Sequence, residues 1–143
     1  MIVVDSNVIA YCWVNGPLTA LAQSVRVKDP DWHVPILWRS EMRSILSGYL
    51  RDGSLTALQV ARIMDAAEGA LAGNEHLVPS ASVFEIVGKS RLSAYDCEFV
   101  ALASVLAVSL VTADKAVLKA LPERALTMEA FLKAERSAST GGP

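Results

Sequence analysis

The sequence predicts an α/β fold: a single domain on a central parallel sheet of four to five short strands, with helices on both faces. Three observations carry this. Short, apolar, mostly β-branched runs such as Ile2-Val3-Val4 and Val108-Ser109-Leu110-Val111-Thr112 have the composition of strands buried on both sides, as parallel strands are. Between such runs the apolar spacing switches repeatedly to a helical period, the pattern of strand–helix–strand units. The chain has 143 residues, enough for one domain with a real core.

Taken in order, the first strand Ile2–Val4 ends on Asp5, and Ser6-Asn7 suits a turn into a helix. Val8 to Val14 is an apolar helix stopped by Asn15-Gly16-Pro17, and Pro17 opens a second helix whose inner face is Leu18, Leu21, Ala22 and Val25. Trp32–Pro35 is the second strand, with His33 at its edge or facing solvent. Leu37 to Leu50 is a helix with the stripe Leu37, Trp38, Met42, Ile45, Leu46 and Tyr49. Thr56 and Gln59 form a capping box for a helix over 57–72, which Gly73-Asn74 stops. His76–Pro79 is the third strand, with His76 at its edge. A short helix over 81–87 turns Val83, Phe84 and Val87 inward and ends at Gly88. Cys97 to Leu106 is apolar nearly all round, so it is a buried helix, with Asp96 in its first turn. Val108–Thr112 is the fourth strand, and it too runs into a carboxylate, Asp114. A helix over 115–121, an edge strand over 125–128 and a last helix over 129–136 complete the domain, 1–136. Residues 137–143 read as a disordered tail.

The composition is 52% hydrophobic and the mean hydropathy is +0.36, a surplus that fits either a bulky core or an interface with another chain. The net charge of −2 supplies no global basic field, so a nucleic-acid role must rest on local basic residues and a metal. Cys12 and Cys97 have no disulfide or zinc pattern and read as reduced thiols. Met1 runs straight into a strand without the features of a signal peptide. The longest charge-free stretch, Phe99 to Ala113, is shorter than the roughly 20 residues of a membrane span. The expectation is a soluble, cytoplasmic protein with no membrane segment.

Four acids stand out because each follows or interrupts an apolar pattern. Asp5 and Asp114 lie just past strands, where right-handed crossovers place them on one rim of the sheet. Glu41 lies four residues after Leu37 and four before Ile45, on or beside an inward stripe. Asp96 lies three and four residues before Phe99 and Val100 and points inward as well. Glu98 is about 200° round the axis from it, on the more exposed side. An inward carboxylate is costly unless it is paired or binds a cation, and Arg39 or Arg43 offers Glu41 an ordinary ion pair. Four clustered carboxylates repel one another and bind protons unless a cation joins them. Hard oxygen donors suit Mg²⁺ or Mn²⁺, which keep water positions open and activate water against a phosphodiester. Neither histidine joins the four, which leaves metal-bound water as the nucleophile.

The stretches Asp5-Ser6-Asn7-Val8-Ile9, Leu37 to Leu46, Ser93-Ala94-Tyr95-Asp96 and Leu110-Val111-Thr112-Ala113-Asp114 together resemble the PIN domain family. The nearest kind is the VapC ribonuclease toxin of bacterial type II toxin–antitoxin pairs. The resemblance covers nearly the whole chain, in order. It implies a Mg²⁺- or Mn²⁺-dependent endoribonuclease with Asp5, Glu41, Asp96 and Asp114 as the acidic quartet, Asp5 and Asp96 as direct metal ligands, and Ser6, Asn7 and Thr112 orienting the acids. It also implies an RNA substrate, a homodimer, and inhibition by a VapB-type antitoxin. The family's glycine before the last core strand is absent; Ala107 or Val108 stands there. Arg39, Arg43, Lys89, Arg91 and Lys115 lie near the quartet in sequence and are candidates for phosphate contacts, with solvated surface charge as the plainer reading of each.

Two other classes fit the sequence less well. A receiver-like Mg²⁺-binding signalling domain requires paired acids after the first strand and a phosphoacceptor Asp after a middle one. Here Asp5 is followed by Ser6-Asn7, and the third strand carries no acid at its end. A haloacid-type phosphatase requires Asp-x-Asp, which Asn7 breaks. A catalytically silent binding module on the PIN fold is disfavoured by the presence of all four acids.

Overall fold

A computed structural model describes residues 1–134; the expected domain end at 136 and the tail 137–143 lie outside the described residues. Five strands, β1 (Ile2–Val4), β2 (Trp32–Pro35), β3 (Glu75–His76), β4 (Leu110–Val111) and β5 (Ala125–Leu126), form one sheet in the order β3-β2-β1-β4-β5. Every pairing is parallel, with Ile2 opposite Trp32, Val3 opposite Leu110 and Val34 opposite Glu75. The expected α/β sheet is therefore present. β1 sits at its centre with all three residues buried, which is what an apolar, β-branched run demands.

Eight helices flank the sheet: α1 (Ser6–Trp13), α2 (Thr19–Lys28), α3 (Trp38–Arg51), α4 (Ala57–Leu71), α5 (Ser80–Lys89), α6 (Ala94–Leu106), α7 (Lys115–Ala120) and α8 (Met128–Lys133). α6 packs on β1, β2 and β4, with α5 laid along it; α1 packs against α2, α3 and α4. The apolar surround of α6 is explained by that position: Cys97, Phe99, Val100, Ala101, Leu102 and Ala103 are all buried. Trp38, Met42 and Leu46 bury the inner stripe of α3 as expected, while Tyr49 is part-exposed. The capping box of Thr56 and Gln59 forms.

Several expectations are corrected. β3 stops at His76 rather than reaching Pro79, because only Val34 and Pro35 of β2 lie alongside it. α5 runs through Gly88 to Lys89. Phe84 does not turn inward: it is 67% exposed, and Ile86 takes the buried place instead. α6 closes on Ala107, which stands in the left-handed region at φ 56°, ψ 44°. The chain thus keeps the turn without the glycine that usually makes it cheap. His33 is neither at the edge nor in solvent. It is buried in β2, its Nδ1 2.8 Å from His76 Nε2 and its Nε2 2.8 Å from an Asp31 carboxylate oxygen. Burial and the neighbouring His33 hold the His76 imidazole below its ordinary pKa.

Candidate active site

The carboxyl end of β1 fixes the site. The Asp5 backbone N–H donates to the Val111 carbonyl (3.2 Å), tying β1 to β4 at the point where both strands end. Asp5 is then the N-cap of α1, with Oδ1 accepting from the Val8 N–H at 3.0 Å. Its other oxygen takes the Thr112 hydroxyl. Thr112 Oγ1 in turn accepts from the Asp114 N–H at 3.0 Å, and Asp114 caps α7 by accepting from the Ala116 and Val117 N–H groups. The two strand ends are thereby joined through a single hydroxyl. Ser6, buried at the start of α1, donates to Glu41 Oε1 at 2.9 Å and so joins α1 to the first turn of α3. Asp96 stands in the first turn of α6, whose N-cap Ser93 accepts the Asp96 N–H at 3.1 Å.

Asp5, Glu41, Asp96 and Asp114 line one cleft of about 400 Å³. Ser6, Asn7, Ser40, Ser44 and Thr112 add polar groups; Leu37, Ile45, Phe99, Leu110 and Val117 supply an apolar wall, and Tyr95 completes the lining. No Lys or Arg is among these residues. The electrostatics follow. Burial pushes the Asp5 carboxyl up, against the downward pull of the Thr112 hydroxyl and of the Val8, Ala113 and Asn7 N–H groups. Burial also raises Glu41; Ser6 works against that, and the charges of Asp96, Asp5 and Glu98 add to it. Asp96 is raised by burial and then by Asp114. Burial first, and for Glu41 and Asp96 the neighbouring carboxylates after it, favour the protonated forms.

The four acids named from the sequence therefore converge, and Ser6 and Thr112 make the hydrogen bonds expected of them. Asn7 lines the cleft, but it is its backbone N–H that serves Asp5. The alternative ion pair for Glu41 does not form, because Arg39 is engaged elsewhere. Its guanidinium grips Glu75 through two hydrogen bonds of 2.6 and 2.7 Å, and the Trp38 indole N–H donates to the same carboxylate at 2.8 Å. Lys89 pairs with Glu85 along α5. Of the basic candidates, Arg43, Arg91 and Lys115 are exposed, and none of the five lines the cleft. Glu98, expected to be the more exposed of the two acids of α6, is part-buried as Asp96 is, and its charge reaches Glu41. Ser40, Ser44 and Tyr95 join the lining without standing out in the apolar pattern of the sequence. The i, i+3, i+4, i+7, i+8 spacing of Leu37, Ser40, Glu41, Ser44 and Ile45 would have marked the two serines, since it places all five on one face of α3.

A divalent cation fits this donor set in chemical kind: hard oxygens, raised pKa values and no competing basic group. Among the described residues, no group of three or more His, Cys, Asp or Glu side chains forms a ready-made metal cage. An ion such as Mg²⁺ does not require one, since it keeps several waters and takes only one or two carboxylates directly.

The model of the PIN domain matches residues 2–123. The chain belongs to the PIN domain family. Two solved structures share the PIN-domain architecture described here. One is PAE2754 from Pyrobaculum aerophilum, 17% identical, with a TM-score of 0.73 over 92% of this chain and 92% of that one. The other is FitAcB from Neisseria gonorrhoeae, 16% identical, with a TM-score of 0.72 over 90% of this chain and 99% of that one. At these identities the likeness is one of fold. No curated protein matches the chain. PIN domains are generally nucleases, so a hydrolytic cleft at the strand ends is in keeping with the family. No helix among the described residues is long and apolar enough to cross a membrane.

Proposed function

We propose that this PIN domain is a Mg²⁺- or Mn²⁺-dependent endoribonuclease, the toxin of a VapC-type toxin–antitoxin pair. The observation that carries the reading is the cleft itself: four carboxylates from four separate elements, Glu41 held by Ser6 and Asp5 tied to the Asp114 backbone through Thr112, facing no basic side chain. Asp5 and Asp96 would hold the ion, with Glu41 and Asp114 beside them. When bound, the metal would supply an activated water and charge stabilisation at the scissile phosphate. The chain's own contribution is placement. Thr112 and the Val8 N–H hold the two oxygens of Asp5, Ser6 fixes Glu41, and the apolar wall of Phe99, Leu110 and Val117 strengthens the field the acids exert. The reading includes cytoplasmic action, a homodimer and a VapB-type antitoxin.

The test is cleavage of total RNA with mapped ends, with and without EDTA, by wild type and by Asp5→Asn and Asp96→Asn proteins. Wild type is expected to cut only with the metal. Each variant should lose at least about a hundredfold in rate, the scale of removing one electrostatic element of such a site. EDTA-resistant cutting, or cutting by the folded variants at the wild-type rate, sinks the assignment.

A further inference from the structure

We propose that Tyr95 is the substrate-stacking platform of the cleft, its ring taking one unpaired base of the RNA beside the phosphate that meets the acids. This rests on the ribonuclease reading. Tyr95 is 66% exposed and lines the cleft, one residue before Asp96 in the first turn of α6. The only other aromatic residue in that lining, Phe99, is 4% exposed and belongs to the core. Among the described residues the Tyr95 hydroxyl makes no hydrogen bond, and its ring joins no aromatic pair or cation–π contact. The exposed ring is therefore open to a ligand in the cleft.

The charge of the cleft makes the ring's role specific. RNA-binding surfaces ordinarily draw affinity from Lys and Arg on phosphates, but here the lining is acidic and holds none. An aromatic face binds a base without needing positive charge, and every base has a π-face to offer. Stacking within a duplex covers that face, so the platform selects nucleotides outside a helix. Ser40 and Ser44 present hydroxyls in the same cleft and suit the edges of the stacked nucleotide.

Steady-state cleavage of a short single-stranded oligoribonucleotide in Mn²⁺ by wild type, Tyr95→Phe and Tyr95→Ala tests this. Loss of one stacked base predicts a KM raised about 5- to 150-fold in Tyr95→Ala, with kcat within about twofold. Tyr95→Phe, which keeps the ring, should restore a near-wild-type KM. An unchanged KM in Tyr95→Ala overturns the proposal, as does a Tyr95→Phe protein as impaired as Tyr95→Ala. A binding measurement separates this from the ribonuclease reading. An oligoribonucleotide carrying 2-aminopurine should lose fluorescence on binding Asp5→Asn protein and keep it with Asp5→Asn/Tyr95→Ala. Quenching that depends on Tyr95 in a wild type that cuts nothing upholds the platform and removes the nuclease. Cleavage by wild type without Tyr95-dependent quenching does the reverse.

Discussion

Asp5 Oδ1 closes α1 while its second oxygen takes the Thr112 hydroxyl, so each oxygen keeps lone-pair capacity for a cation but has lost its freedom to swing. Glu41 is held less firmly, by the Ser6 hydroxyl alone. That difference sets a testable pH dependence. The Ser6 hydroxyl favours the ionised form of Glu41, against burial and the charges of Asp96, Asp5 and Glu98. Ser6→Ala removes the favouring group, so the carboxyl rises further and the acid limb of log(kcat/KM) against pH moves to higher pH. At neutral pH the loss of one hydrogen bond to a charge, about 1.5 kcal/mol, corresponds to about a tenfold drop in cleavage. A pH–rate profile of Ser6→Ala that overlays wild type would show that the Ser6–Glu41 contact has no bearing on the reaction. At this scale the sequence was highly legible: an acid at the end of an apolar strand, or facing inward on an apolar helix, is visible without coordinates.

Among the described residues, the one non-glycine residue with a positive φ closes α6. Its closing residue, Ala107, sits at φ 56° with a Cβ, a conformation that costs about 1–2 kcal/mol in a residue other than glycine. Ala107→Gly relieves that cost and gives back part of it through a more flexible unfolded chain. The expected net gain is about 0.5–1 kcal/mol, measured as a higher urea midpoint at unchanged slope. A lower midpoint would mean that the turn is not strained as its backbone angle indicates. Element boundaries were the least legible part of the sequence. β3 and β4 are two residues long because pairing partners end the ladders, and no local composition announces where a neighbour stops. The buried His33–His76 contact was missed for the same reason: it joins residues 43 apart across two parallel strands. Phe84 shows a limit of a different kind, since helical spacing does not say which of two apolar faces finds the core.

For the whole molecule, the acids are both the proposed function and a cost to the fold. Asp5, Glu41 and Asp96 have raised pKa values, so just above the ordinary carboxylate range the native chain binds more protons than the unfolded one. Stability from these groups is therefore full at low pH and is lost as pH rises through their folded values. A bound divalent ion replaces those protons. At pH 7, Mg²⁺ or Mn²⁺ at about a hundred times Kd should stabilise wild type by about 2.7 kcal/mol, and in Asp5→Asn/Asp96→Asn the gain should vanish. Equal shifts in Tm for both proteins would place the ion elsewhere. The sheet order was beyond the sequence, yet it decides the outcome, because β1 and β4 must be neighbours for Asp5 and Asp114 to share Thr112. That sharing has a practical corollary. Asp5 and Asp114 each hold a helix by accepting backbone N–H groups, and asparagine accepts them nearly as well. Exchanging a carboxylate for an amide there removes charge and leaves the scaffold standing. Such a disarmed twin, same shape and no bite, is a natural bait for trapping the proposed RNA substrate intact.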